Sequence, residues 1–363
     1  MDEKLPDVPR KGRGALGNPT PRFDRHDRHA VDDGWDSHCD EDLPPLRTTV
    51  LPDTARSVIS RNDSPDIPFE QSVNPYRGCE HGCTYCYARP SHAYLGLSPG
   101  LDFETRLFAK FDAPELLERE LRSRSYQCRV IALGTNTDCY QPIEREHRIT
   151  RRVLEVLAAF GHPLMITTKS ALVTRDIDIL APMAERNLVT VCLSVTTLDP
   201  ALSRTLEPRA SAPHRRLAAI RDLSRAGIPV CVLASPMIPA LNDMELEAIL
   251  AASREAGAVS AAYMLVRLPH EVKELMADWL ETHRPDRARH VLSLIQQSRG
   301  GRLNDPRFGS RFVGSGAYAD LLRQRFRGAC RKLGLGDRID GIGGLDLTQF
   351  RCPPKDDRQM SLF

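Results

Sequence analysis

Three cysteines within eight residues constrain this chain more than any other feature. The segment Asn74-Pro75-Tyr76-Arg77-Gly78-Cys79-Glu80-His81-Gly82-Cys83-Thr84-Tyr85-Cys86-Tyr87 has the spacing C-x3-C-x2-C. Thiolates are the preferred protein ligands of iron–sulfur clusters. Three on one short loop can hold three irons of a cubane and leave the fourth for a small molecule, much as catalytic metal sites keep a position open. Gly78 and Gly82 let the backbone wrap closely around an inorganic core. Zinc is the other reading. Structural zinc takes four ligands, often as two C-x2-C pairs. No second pair exists here, which leaves His81 or His92 as the fourth ligand.

The other seven cysteines are scattered over 363 residues, and no basic start followed by an apolar stretch marks a secretory signal. A disulfide framework is therefore not expected. No apolar run is long enough to span a bilayer, and a cytoplasmic protein is the default expectation. The net charge of +2 neither demands nor excludes a nucleic-acid partner.

Beyond the cysteines, short apolar runs alternate with amphipathic ones. Strands are expected at residues 71–76, 129–134, 163–168, 188–196, 228–235 and 259–268, and helices at 144–160, 175–187, 213–226 and 243–256. Near-continuous apolar strands separated by helices indicate a parallel sheet covered by helices. About six such units are too few for a closed eight-stranded barrel, so an open, partial barrel is expected. Residues 1–65, dense in Asp, Arg, Pro and Gly, read as a disordered tail. The core spans 66–270, a mainly helical extension 271–333, and a flexible tail 334–363.

The cysteine spacing, with an aromatic residue just before the last cysteine, resembles the signature of the radical S-adenosylmethionine (SAM) superfamily. The surrounding stretch, residues 57–110, looks like a bacterial family of unassigned reaction, related in motif style to spore photoproduct lyase, a DNA repair enzyme. The resemblance implies a partial (β/α)6 TIM-like barrel and a 4Fe–4S cluster on Cys79, Cys83 and Cys86. It also implies cleavage of SAM to a 5′-deoxyadenosyl radical, and an electron donor such as flavodoxin or ferredoxin. It places Tyr85 near the adenine. Thr137 and Asp138 match the lyase's Ser/Thr-Asp pair at the methionine amino group, although Asp and Thr also suit a plain turn or helix cap. Lys169, in Thr168-Lys169-Ser170, would face the cofactor carboxylate. Ser194 would reach the ribose or carboxylate, and Arg209, in Glu207-Pro208-Arg209, is a further carboxylate binder. Arg215 and Arg216 belong either to the same mouth or to a solvated helix face.

One departure bears on the reaction. The lyase has a hydrogen-donating cysteine immediately before its Thr-Asp pair, where this chain has Asn136. Cys139 and Tyr87 are the substitutes on offer for hydrogen transfer, and packing is the alternative role for both. At the C-terminus, Gln359-Met360-Ser361-Leu362-Phe363 resembles the peptide by which bacterial replication and repair proteins dock on the sliding clamp. Nine basic residues between Arg299 and Lys332 could contact phosphates. The expectation is a radical SAM enzyme acting on nucleic acid. The alternatives are radical chemistry on a small molecule or protein, and a non-catalytic iron–sulfur or zinc protein that binds DNA or the clamp.

Overall fold

The computed structural model describes residues 7–26, 45–336 and 344–354. Its strands are β1 (Thr49–Pro52), β2 (Ile59–Arg61), β3 (Gln71–Val73), β4 (Tyr76–Arg77), β5 (Arg106–Ala109), β6 (Ile131–Leu133), β7 (Leu164–Thr168), β8 (Val189–Ser194), β9 (Val230–Met237) and β10 (Ser260–Leu265). Seven form one sheet in the order β10-β9-β8-β7-β6-β3-β2. From β3 to β10 every neighbouring pair is parallel, and β2 closes the far edge antiparallel to β3. The six parallel strands fall on the six expected apolar runs. The order follows the chain in one direction, which curls the sheet into an open barrel.

The strands are apolar throughout because both of their faces are buried. All six residues of β8 are buried. Alternation sends Val189, Val191 and Leu193 outward into the main core beneath the helices. Cys192 points inward, joining Ala132, Met165, Cys231 and Leu233 in a separate cluster inside the barrel. Ser194, two residues beyond Cys192, faces the same interior at the strands' C-terminal end. Three helices follow the barrel: Val272–His283, Ala288–Gln297 and Ala317–Leu333. The first of them caps the mouth side, where Val272, Met276 and Trp279 pack with Leu202, Leu206, Cys83 and Tyr85.

Three expectations are corrected. The helix expected over 144–160 breaks at Arg148, whose φ is 50°, into Glu144–His147 and Ile149–Ala159. Glu144 turns inward to accept the Thr150 and Arg151 amides and the Tyr76 hydroxyl, restarting the helix as a cap would. Within residues 1–65, residues 7–26 and 45–65 belong to the folded body. Arg13 is buried and donates to the carbonyls of Glu104 (2.9 Å) and Leu46 (2.6 Å), and β1 pairs with β5. A Cβ on Gly14 would lie 1.8 Å from the Gly82 carbonyl oxygen. Glycine-rich sequence here serves close backbone approach rather than disorder.

Likewise, part of the expected C-terminal tail is packed. Phe350 stacks on Phe160 (6.1 Å) and meets His162 edge-on (5.4 Å), so residues 344–354 cover the barrel end opposite the mouth. His162 is fully buried between the Pro163 carbonyl (2.9 Å) and the Tyr126 hydroxyl (2.7 Å). Burial pushes its pKa down to about 4. The unfolded chain, titrating near 6.5, then binds more protons than the folded one between those values, so stability rises with pH across that window. Acidification from pH 7 to 4 is expected to remove up to about 3 kcal/mol through this residue. Urea midpoints against pH check this: His162→Gln should flatten the curve, and an unchanged slope would exclude the residue.

Candidate active site

The cysteine loop lies between β4 and β5, at the C-terminal end of the parallel strands. Cys79 and Cys83 are buried, Cys86 is half-buried, and all three thiols are free. Gly78 and Gly82 have φ of 74° and 66°. A Cβ on Gly78 would come within 2.6 Å of Leu107 and 2.9 Å of the Phe103 carbonyl oxygen. The loop is clasped from outside. The Cys79 amide donates to the Phe103 carbonyl (2.9 Å) and the Thr84 amide to that of Leu206 (3.1 Å). Gln141 Nε2 donates to the Gly78 carbonyl (3.1 Å) and its Oε1 accepts the Glu80 amide (2.8 Å).

Beneath the loop, Arg89 is fully buried and uses its donors on the protein itself. They reach the carbonyls of Cys83 (2.8 Å), Gly82 (3.1 Å), Pro99 (3.0 Å) and Gly100 (2.9 Å), and the Glu104 carboxylate (2.5 Å). Glu104, also fully buried, accepts the Gly14 and Ala15 amides (3.0 and 2.9 Å). Residues 13–15 are thus part of the loop's support.

Facing the loop from the strand ends is a ring of buried charge. Lys169, after β7, donates to Thr196 Oγ1 (3.3 Å) and the Ser235 carbonyl (3.2 Å) and pairs with Glu207 (3.4 Å). Its ammonium stands 5.6 Å from the Tyr85 ring centroid. Glu207 also accepts from Thr196 (2.7 Å), Tyr85 and Arg216. Burial would raise the Glu207 pKa, but Arg216 and Lys169 outweigh it and hold the group ionised. The same burial, with the neighbouring carboxylate, pushes the Tyr85 phenol far up.

Asp138 is oriented differently from the sequence reading. Its carboxylate accepts from Thr168 Oγ1, the Lys169 amide and the Tyr140 amide, each at 2.8 Å, and His81 Nδ1 lies 3.3 Å away. Burial opposes ionisation, but His81 and these hydrogen bonds keep its pKa below the usual carboxylate range. With its lone pairs occupied, Asp138 fixes His81 and Lys169 in place. Thr137 is buried and donates to the Tyr76 carbonyl (2.7 Å). Arg209 binds the outside of the loop, through its amide to the His81 carbonyl (3.2 Å) and its guanidinium to Glu80 (3.1 Å).

The two hydrogen-transfer candidates part company. Tyr87 is 48% exposed at the mouth, and its hydroxyl donates to the Thr135 carbonyl. Cys139 is fully buried in the outer apolar core, and burial pushes its thiol pKa far up. The turn after β6 sends Asp138 inward and Cys139 outward. Of the basic residues noted near the C-terminus, Arg299, Arg307, Arg311, Arg323 and Arg325 are engaged with the protein itself. Sequence reasoning missed Arg89, Glu104, Thr196 and the role of Glu207, and considered His81 only as a fourth zinc ligand, whereas the structure sets it against Asp138. It left Arg216 between two places, and the structure buries it on Glu207.

Residues 73–252 match the family model described as the Radical SAM superfamily. The chain belongs to the radical SAM superfamily. An uncharacterized protein of Mycobacterium tuberculosis (strain ATCC 25618 / H37Rv) is 37% identical over 222 residues, 61% of this chain and 65% of that protein. One from Methanocaldococcus jannaschii is 29% identical over 174 residues, 48% of this chain and 62% of that protein. The chain therefore spans less than two thirds of the length of the curated relatives it matches. Among solved structures, spore photoproduct lyase complexed with dinucleoside spore photoproduct superposes with a TM-score of 0.56 at 17% identity, over 79% of this chain and 81% of that one. That likeness is one of fold.

The residues present suit a radical SAM cluster. Burial raises the pKa of all three thiols, and Cys79 is raised further by Asp138 and the other two cysteines. Thiolates in such a setting need compensating cations. Lys169 and Arg216 act on Cys83, and Arg89 and Lys169 on Cys86, each favouring the anion. Among the described residues no three His, Cys, Asp or Glu side chains form a cage for a single metal ion. Three thiols on one loop are the ligand type and number that a cubane with one open iron would use.

Proposed function

We propose that this chain is a radical SAM enzyme that holds a 4Fe–4S cluster on Cys79, Cys83 and Cys86 and acts on nucleic acid. The observation that carries the reading is the meeting of the buried thiol loop with the Lys169–Glu207–Asp138 charge ring at the C-terminal end of an open parallel barrel, where α/β folds bind their ligands. When bound, the cluster and SAM together supply a 5′-deoxyadenosyl radical for hydrogen abstraction.

The chain's residues do the positioning. Lys169, held by Asp138 and Glu207, presents a cation to the cofactor carboxylate. Tyr85, fixed by Glu207, offers its ring to the adenine, and Ser194 faces the same space. The apolar wall of Leu206, Met276 and Trp279 keeps water from the loop. Tyr87, exposed beside Cys86, stands between this chamber and solvent and is the hydrogen-relay candidate. The fold shared with spore photoproduct lyase supports a nucleic-acid substrate and repair-like chemistry. The proposal includes docking on the sliding clamp through Gln359 to Phe363, which lie outside the described residues, and reduction by a flavodoxin or ferredoxin. No helix among the described residues is long and apolar enough to cross a membrane.

The test is anaerobic reconstitution with iron and sulfide, then reduction with dithionite in the presence of SAM. We expect four irons and four sulfides per chain. We also expect 5′-deoxyadenosine, formed faster when damaged DNA or RNA oligonucleotides are added. A fully loaded, reducible cluster that yields no 5′-deoxyadenosine with any of them would sink the enzyme reading.

A further inference from the structure

Arg267 follows β10 at the mouth, and its guanidinium lies 5.9 Å over the Tyr87 ring and 5.1 Å over Phe312. Arg311 lies 4.7 Å over Phe312 and 4.7 Å over Phe308. These five side chains make an alternating ladder: Tyr87, Arg267, Phe312, Arg311, Phe308. Its inner end is the residue after the last cysteine. Its outer end, Phe308, is 60% exposed.

The ladder runs along the barrel's open seam. β10 and β2 are the two ends of the sheet and do not pair with each other. Loop 305–313 lies across the gap. The Leu265 amide donates to the Phe312 carbonyl (2.8 Å), and Arg299 ties the carbonyls of Leu265 and Val266 to those of Ser310 and Arg311. From the other side, Asp66 accepts the Gly309 amide (2.8 Å) and sits 2.7 Å from Arg311 Nε. The ladder is thus held on rigid supports, half-buried along its middle and exposed at its two ends, Tyr87 and Phe308.

Its charge is unbalanced. Arg311 has Asp66 as partner. Among the described residues Arg267 makes no hydrogen bond or ion pair, and its Nε is buried without a partner. Two guanidiniums flanking one ring, with one carboxylate between them, favour an added anion. The two exposed rings, Tyr87 at the inner end and Phe308 at the outer end, with arginines between them, match a strand that alternates bases with phosphates.

We propose that this ladder is the docking track for a single-stranded or extruded segment of nucleic acid, with a phosphate on Arg267 and a base on Phe308, guiding the strand past Tyr87 to the cofactor. The proposal rests on the nucleic-acid reading above and names the surface that serves it.

The test uses the reconstituted holoenzyme and a fluorescein-labelled single-stranded oligonucleotide, followed by anisotropy over a range of salt. Phe308→Ala should weaken binding roughly 10-fold, the scale of one lost base stack, with the salt dependence unchanged. Arg267→Ala should weaken it comparably and reduce the slope of log K against log salt by about 0.7, one phosphate contact on a single strand. Arg267→Lys should restore the slope. Thermal unfolding of each variant controls for misfolding. If wild type and both alanine variants bind alike, the track is wrong while the nucleic-acid reading stands. Preference for intact duplex, unaffected by the variants, has the same meaning. If wild type makes 5′-deoxyadenosine yet binds no oligonucleotide, both readings fall, and a peptide or small-molecule substrate takes their place.

Discussion

Arg89→Met is expected to cost the fold about 3–5 kcal/mol, the scale for breaking a buried ion pair by removing one partner, and to strip the cysteine loop of iron. Arg89 and Glu104 are both fully buried. Without the guanidinium, the Glu104 carboxylate keeps the Gly14 and Ala15 amides and loses its direct ionic partner, leaving Arg13, which bonds the Glu104 backbone carbonyl instead, as the nearby cation. The Gly82 and Cys83 carbonyls lose their donor at the same time. Those carbonyls belong to Cys83 and the residue before it, so the loss acts on the proposed ligand loop as well as on stability.

A second variant separates the two effects. Arg89→Met with Glu104→Leu replaces the pair by apolar groups, an exchange that is often neutral once both charges are gone. Thermal unfolding should recover in the double variant. Iron and sulfide content should stay low, because the loop carbonyls still lack their donor. Full iron loading in Arg89→Met, or an unchanged unfolding midpoint, would show that this pair does not support the site.

The ion pair also shows where sequence reading stops. The six parallel strands were legible because strands buried on both faces must be apolar along their whole length, as β8 is. The thiol loop was legible because its three cysteines are neighbours along the chain, so their spacing is written in the sequence. Arg89 and Glu104 were not, because a buried charge and a solvated one are written with the same letter, and only the partner tells them apart. Glu207 stood in view in Glu207-Pro208-Arg209. A cation is the natural partner of a cofactor carboxylate, which points to Arg209, yet Glu207 is the residue that locks Lys169, Tyr85 and Arg216 together. Cys139 is offered by the sequence as a hydrogen donor or as a packing residue, and the turn after β6 buries it in the outer core, away from Asp138's contacts. The composition of residues 7–26 suggested disorder, and the packing of Gly14 on Gly82 explains why small residues sit there.

Cys83→Ala should leave a folded protein that cannot make 5′-deoxyadenosine. A buried free cysteine packs as a small hydrophobe, and Cys83 lies among Tyr85, Leu202, Leu206 and Trp279. Removing its sulfur leaves a gap of about methyl size, worth roughly 1 kcal/mol, so the unfolding midpoint of the unloaded protein should shift by only a few degrees. The chemical loss is of another order. Two thiolates cannot hold three irons of a cubane, and Lys169 and Arg216 then face a site without the anion they offset. Iron and sulfide should fall well below four per chain, and product should fall to the level of the protein-free control. Cys139→Ala supplies the contrast. Its sulfur is buried in the outer core, so that variant should lose some stability and keep its iron. If Cys83→Ala bound a full complement of iron, or if Cys139→Ala lost it, the cluster would have to be sought on other thiols.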